Sequence, residues 1–274
     1  MKKYYIILSL LIIIFILYKF FSSTYKENFT NNMSKYSVIF AGTCRNVDKY
    51  IETNLKNIDK CGNKFKSYKL IIYENDSTDR TRELLVKNKK KNYTYIFEDN
   101  IVEPKRTLRL ANGRNKILKM VRETNKDLQY DFLIMIDLDD INNNGMFVDT
   151  IDTCFKYNDW DVMTATQQKE YYDVWALRKK DVLDFDFVAK NISGVELNKK
   201  IFNYISNTSK DTKLIDVDSA FGGIAIYKLS SIPDNCNYIG VKANGEEDCE
   251  HVEFHKCIKN NNGKIYINRE FYNK

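Results

Sequence analysis

Four apolar runs, YSVIFAG (36–42), KLIIYEN (69–75), YTYIFED (93–99) and DFLIMID (131–137), are separated by stretches with helical spacing. After the first run, Val47, Ile51, Leu55 and Ile58 form one helical stripe. After the second, STDRTRELLVKN opens a helix with Ser77 or Thr78 as its cap. LRLANGRNKILKMVRET (108–124) is a further helix after the third. Strands alternating with helices predict an α/β fold with a mostly parallel central sheet covered on both faces. No Pro/Gly-rich linker or repeat interrupts residues 36–274, so they read as a single domain.

In such a sheet the ligand site lies beyond the carboxyl ends of the strands. Polar residues gather there: Cys44-Arg45-Asn46, Glu74-Asn75-Asp76, Glu98-Asp99 and Asp137-Leu138-Asp139-Asp140 follow the four runs in turn. A lone acidic turn accounts for one such end and not for four. Asp137 and Asp139 fit either a surface turn or a hard-cation site, since oxygen ligands suit Mg²⁺ or Mn²⁺. Asp76 and Asp79 in YENDSTDRT fit either a helix cap or a carboxylate that binds a base or ribose at a helix N-terminus. Arg109 and Arg114 stand near a helix start, where cations oppose the macrodipole unless they face solvent or an anionic ligand. His251 and His255 are four apart, but the order HVEFH lacks the glutamate directly after the first histidine that zinc proteases use. Glu247 and Asp248 before them are either helix-capping acids or a general base.

The formal net charge of +6 belongs mostly to residues 1–35, which hold five lysines against one glutamate. The remaining surplus of +2 is too small for a phosphate-backbone footprint and argues against nucleic acid as a partner. From Tyr4 to Phe21 only Ser9 and Lys19 are polar. As a helix this segment would span about 27 Å, near the hydrocarbon thickness. No A-x-A-like cleavage site follows it. The expectation is an uncleaved membrane anchor at 4–21, a polar stem at 22–35 and a single-pass type II protein of a Golgi/ER-like or host endomembrane. The six cysteines have no CxxC spacing, which excludes a zinc ribbon and permits disulfides. N-x-S/T sequons include those that start at Asn28, Asn75, Asn92, Asn191 and Asn207.

Taken together, these motifs resemble the GT-A glycosyltransferases of the family 2-like branch, with capsule mannosyltransferase-like and large-DNA-virus members nearest in pattern. CRNVDKYIETNL looks like that group's first strand-to-helix turn, and ENDSTDRT its nucleotide-contacting segment. RLANGRN is similar to its R-x-x-A-x-x-R-N element near the donor diphosphate, and Asp137-Leu138-Asp139 takes the place of its D-x-D motif. The resemblance implies a single Rossmann-like GT-A domain that uses Mn²⁺ or Mg²⁺. It implies a UDP- or GDP-sugar donor and a glycan or glycoprotein acceptor. Donor contacts would come from Arg45, Asp76, Arg109, Arg114, Asn115 and Asp137, and the metal would be held by Asp139 with Asp137. KEYYDVWALR (169–178) and SAFGGIAIYK (219–228) look like acceptor-side strands, implicating Tyr172, Trp175, Gly222 and Gly223. EEDCEHVEFH resembles the late E-D motif, with Asp248 or Glu247 as base and His251 or His255 as a third metal ligand. A sequon at Asn75 conflicts with a donor site there, so it should carry no glycan. A nucleotidyltransferase is the rival enzyme, but no G-x-G-x-R-[LM] loop is present. A non-catalytic glycan-binding scaffold is the rival outside enzymes; loss of Asp139 or the late carboxylates would have marked it.

Overall fold

Side chains alternate across each strand, and here that alternation divides the core into two. The computed structural model describes residues 12–15 and 33–274, apart from 189, 191, 209 and 210. The chain opens with β1 (Ser37–Cys44), α1 (Asp48–Gly62), β2 (Ser67–Asn75), α2 (Thr81–Lys87), β3 (Tyr93–Glu98), α3 (Arg106–Thr124) and β4 (Phe132–Ile136). It continues through α4 (Met146–Thr150), β5 (Val162–Thr166), α5 (Gly194–Asn207), β6 (Leu214–Asp216), β7 (Ile224–Lys228), α6 (Glu250–Asn260) and β8 (Ile265–Tyr272). Ile39, Ala41, Ile71, Tyr73, Leu133 and Met135 pack with Ala111, Ile117 and Leu118 of α3. Their neighbours Val38, Phe40, Leu70, Ile72, Ile134 and Ile136 pack with Ile51, Leu55 and Ile58 of α1.

The eight strands among the described residues form one sheet, ordered β3-β2-β1-β4-β7-β5-β8-β6. The half expected from the sequence, β3-β2-β1-β4, is parallel throughout. The other half is mixed, because β7 runs antiparallel to β4 and β5, and β6 antiparallel to β8. Cys44 pairs with Glu74, and Asn75 with Glu98, so three strand ends finish level. α3 lies close on β2 because of Gly113, where a Cβ would come within 2.7 Å of the Tyr73 ring.

Local expectations need correcting. α2 starts at Thr81, whose N–H donates to the Asp79 carboxylate, while Ser77 instead accepts from Asn46 N–H. Residues 169–178 hold a 3₁₀ turn, Val174–Ala176, in place of a strand. The single-pass membrane expectation is also corrected. Among the described residues no helix is long and apolar enough to cross a membrane. Of the expected anchor, only 12–15 is described, a single turn about 6 Å long, and the rest of 4–21 lies outside the described residues. Only 33–35 of the expected stem is described, and Met33 is fully buried in the α1-side core.

Cys236 and Cys257 form a disulfide across a sequence separation of 21. It ties the segment before α6 to the back of that helix. Cys44, Cys61, Cys154 and Cys249 are free and buried. A loop of this size implies that reduction lowers the unfolding free energy by about 3 kcal/mol. Urea denaturation with and without reductant reads this directly, and coincident curves would mean that the two sulfurs are not bonded.

Candidate functional site

Beyond the carboxyl ends of β1, β2 and β4 lies a cleft of ≈ 430 Å³. It is lined from β1 by Thr43 to Val47, from β2 by Tyr73 and Asn75, and from the β4 end by Asp137 to Asp139. Arg106, Arg109 and Arg114 reach it from α3, Tyr172, Asp173 and Trp175 from the 3₁₀ turn, and Cys249 to His251 from the start of α6.

The Asp137–Asp139 turn is held from behind by amides. Asp137 N–H donates to the Gly223 carbonyl at 2.9 Å. Asn142 Nδ2 donates to the carbonyls of Asp137 and Gly223, each at 2.9 Å. Asn54 on α1 donates to the Asp139 carbonyl at 2.9 Å. Asn273 bonds Asn142 at 3.0 Å, Gln167 bonds Asn273 at 2.7 Å, and Tyr172 N–H donates to Gln167 at 2.6 Å. Tyr172 then closes the circuit, its hydroxyl donating to Asp139 Oδ2 at 3.4 Å. Asp139 Oδ1 also caps the 3₁₀ turn Asp140–Asn142 by accepting from Ile141 N–H. Turn and cleft residue are therefore the same residue. The following asparagine run supplies the turn's scaffolding.

Arg114 is the electrostatic centre. Only 4% exposed, it bonds Asp137 Oδ1 at 3.2 Å through Nη2 and pairs with Glu250 through Nη1. Its guanidinium lies over the rings of Phe221 and Tyr238, at 5.3 and 5.8 Å. Burial pushes the Asp137 carboxyl up to about 7, against the pull of Arg114. Burial likewise raises Asp139. Neither Asp139 nor Arg106 forms an ion pair among the described residues. His251 stacks on Phe221 at 4.0 Å and is 2% exposed. Burial, then Arg114, holds it well below the usual imidazole range, and neither ring nitrogen has a hydrogen-bond partner.

Several expected site residues point elsewhere. Asp76 accepts from the N–H groups of Asn100 and Ile101, so it fixes the loop after β3; Asn75 lines the cleft in its place. Asn115 exchanges hydrogen bonds with the backbone of Tyr238, at 2.9 and 2.8 Å. Gly222 and Gly223 have φ of +65° and +84°, and a Cβ on Gly222 would come within 2.4 Å of the Ala165 carbonyl. Their close approach is to protein, and neither lines the cleft. Glu247 accepts from Thr107 N–H at 2.9 Å and so caps α3. Asp248 pairs with Arg178 at 3.2 Å, and Arg178 also donates to the carbonyls of Trp175 and Leu177. That pair braces the 3₁₀ turn and leaves Asp248 outside the cleft lining. His255 has both ring nitrogens engaged, by Ser219 at 3.0 Å and Tyr227 at 2.9 Å, which leaves no lone pair for a metal.

Arg45, Arg109, Arg114, Asp137, Asp139, Tyr172, Trp175 and His251 are brought together. Asp173, Glu250 and Arg106 join them and were not expected, and Asn75, expected only as part of a polar strand end, lines the cleft as well. Parity was the available signal for Asn75, since Tyr73 two residues earlier also faces the cleft. For Arg106 it was spacing, because 106, 110 and 114 share one helix face.

No protein-family model and no curated protein matches the chain. Solved structures do match it. A mannosyltransferase from Pyrobaculum calidifontis, PcManGT, in complex with GDP-Man and Mn²⁺, aligns over 88% of this chain and 57% of its own, at 11% identity and a TM-score of 0.51. TarS 1–349 from S. aureus aligns over 87% and 59%, at 17% identity and a TM-score of 0.47. Glucosyl-3-phosphoglycerate synthase from Mycobacterium tuberculosis, with Mn²⁺, UDP and phosphoglyceric acid, aligns over 76% and 61%, at 11% identity and 0.41. The chain aligns with about three fifths of the length of these structures. The likeness to PcManGT shows the fold, and it is the GT-A type that the motifs resemble.

Proposed function

We propose that residues 36–274 form a metal-dependent glycosyltransferase that moves a sugar from a UDP- or GDP-sugar to a hydroxyl of a glycan or glycoprotein. The observation that carries this is Asp139: a partly buried carboxylate that forms no ion pair among the described residues, in a cleft that also holds four arginines. Desolvating a charge that has no partner is costly, and such a group persists where a ligand completes it. The same fold in PcManGT was solved with GDP-Man and Mn²⁺, which supports the ligand class.

The donor set suits a hard or borderline divalent cation. Asp139 and Asp137 offer oxygens, and His251 offers a neutral nitrogen with an unused lone pair. Among the described residues no three His, Cys, Asp or Glu side chains form a ready-made cage, so donor phosphate oxygens would complete the coordination. Mn²⁺ or Mg²⁺ held there would supply charge neutralisation of the departing diphosphate. Arg106 and Arg109 share that role as fixed cations, and Arg109 is oriented by the carbonyls of Glu103 and Pro104, each at 2.7 Å. Asn75 and Tyr73 meet the nucleoside from β2. Tyr172 and Trp175 meet the acceptor, with Trp175 fixed by its indole N–H to Asp186 at 3.1 Å.

Incubation of the full chain with a panel of UDP- and GDP-sugars tests this. One donor should be hydrolysed in Mn²⁺, not in EDTA, and again on adding back Mn²⁺. No cleavage, together with no metal-dependent thermal shift on adding UDP or GDP, would sink the proposal.

A further inference from the structure

Four carboxylates line the cleft, and three have evident duties. Asp137 and Glu250 share Arg114, and Asp139 caps its own turn while accepting from Tyr172. The fourth, Asp173, forms no ion pair among the described residues. It is held at φ 59°, ψ 49°, the left-handed region that a non-glycine residue enters at a cost of about 1 kcal/mol or more. Its neighbours impose that conformation. Tyr172 is bound to Gln167 through its N–H and to Asp139 through its hydroxyl. On the other side, Trp175 is bound to Asp186 through its indole and to Arg178 through its carbonyl. A strained residue clamped on both sides, with a cleft carboxylate that forms no ion pair and is held by the Ala176 N–H and the field of Arg114, is built to aim one side chain. Asp248 differs in two respects: it forms an ion pair with Arg178 and it lies off the cleft lining.

We propose that Asp173 is the catalytic residue that takes the proton of the attacking hydroxyl, so that the sugar is transferred with inversion; this rests on the glycosyltransferase reading above. The hydroxyl proton passes to an Asp173 carboxylate oxygen as the hydroxyl oxygen bonds the anomeric carbon. The bond from that carbon to the diphosphate breaks, and its electron pair leaves on the nucleoside diphosphate. Asp173 then releases the proton to solvent. Water in place of the acceptor gives the same balance and yields the free sugar. Burial raises the Asp173 carboxyl to about 6, closer to neutrality than an ordinary aspartate and better suited to accept a proton.

The full chain with Mn²⁺ and the donor that it hydrolyses fastest gives the test. Asp173→Asn keeps the side-chain shape, and it should lower kcat for hydrolysis at least about 100-fold. The donor KM and the melting temperature should stay near wild type. Proton NMR of the wild-type reaction, read before mutarotation, should show the released sugar with inverted anomeric configuration. Retained configuration overturns the proposal even if the variant does not fold, as does an Asp173→Asn chain with wild-type turnover. If that chain is active and Asp248→Asn loses kcat at unchanged stability, the base is Asp248. A wild-type chain that cleaves no donor overturns the underlying activity and the proposal with it.

Discussion

Arg114→Met is expected to lower the unfolding free energy by about 3–5 kcal/mol, because it leaves two buried carboxylates without their shared cation. Glu250 is 4% exposed and Asp137 also faces the protein interior, with only a fifth of its side chain exposed. Methionine matches the arginine stem in volume, so the packing over Phe221 and Tyr238 is largely kept and the loss is electrostatic. The control is Arg114→Met with Glu250→Gln. Removing one of the stranded charges should recover a measurable part of the loss, the non-additivity that contacting residues show. Urea denaturation of the wild type, both single variants and the double variant closes the cycle. A single variant within about 1 kcal/mol of wild type would mean that solvent reaches these groups and that Arg114 does not organise the cleft. Because Arg114 also sets the Asp137 carboxylate, turnover should fall in the same variant, and more steeply than stability.

The parallel half of the fold was legible because β1, β2 and β4 each carry a run that is buried on both faces. Runs such as FLIMI leave a sequence reader few alternatives. The second half was harder for an equally physical reason. β6 is three residues long, and β5 and β8 read as strands only once they pair. Residues 169–178 carry a dense apolar run, VWAL, that resembles a strand. Asp173 takes a left-handed conformation just before it, and the chain curls into a 3₁₀ turn. In the site, motif position was a good guide to neighbourhood and a poor guide to direction. Asp76 and Asn75 are adjacent, but strand alternation aims only Asn75 at the cleft. Asn115 follows Arg114 in the same motif, about 100° further round α3, and so faces the Tyr238 backbone. The late acids show the same limit. Nothing in EEDCEHVEFH reveals that Glu247 caps a helix 140 residues earlier in the chain, or that Asp248 braces Arg178.

The Asp139 turn allows charge to be separated from scaffolding, and the second large effect is expected there. Asp139→Asn keeps an oxygen that can accept from Ile141 N–H, and its NH₂ can donate to the Tyr172 hydroxyl in place of the present bond, so the 3₁₀ turn should survive. Asp139→Ala removes that cap as well and should cost about 1 kcal/mol of stability. Both variants lose the carboxylate, and both should therefore bind Mn²⁺ at least about 100-fold more weakly, by calorimetry in the presence of UDP or GDP. Donor hydrolysis should fall by about 10²–10³ or more, the scale of removing one preorganised charge-stabilising contact. The two substitutions thus agree on metal and turnover and differ on melting temperature. The opposite pattern, with Asn retaining Mn²⁺ affinity and turnover while Ala loses only stability, would make Asp139 a turn cap alone. Asp137 would then be the remaining carboxylate of this turn for the cation, and its bond to Arg114 already spends much of its charge. A metal-dependent site could not be maintained on that residue alone.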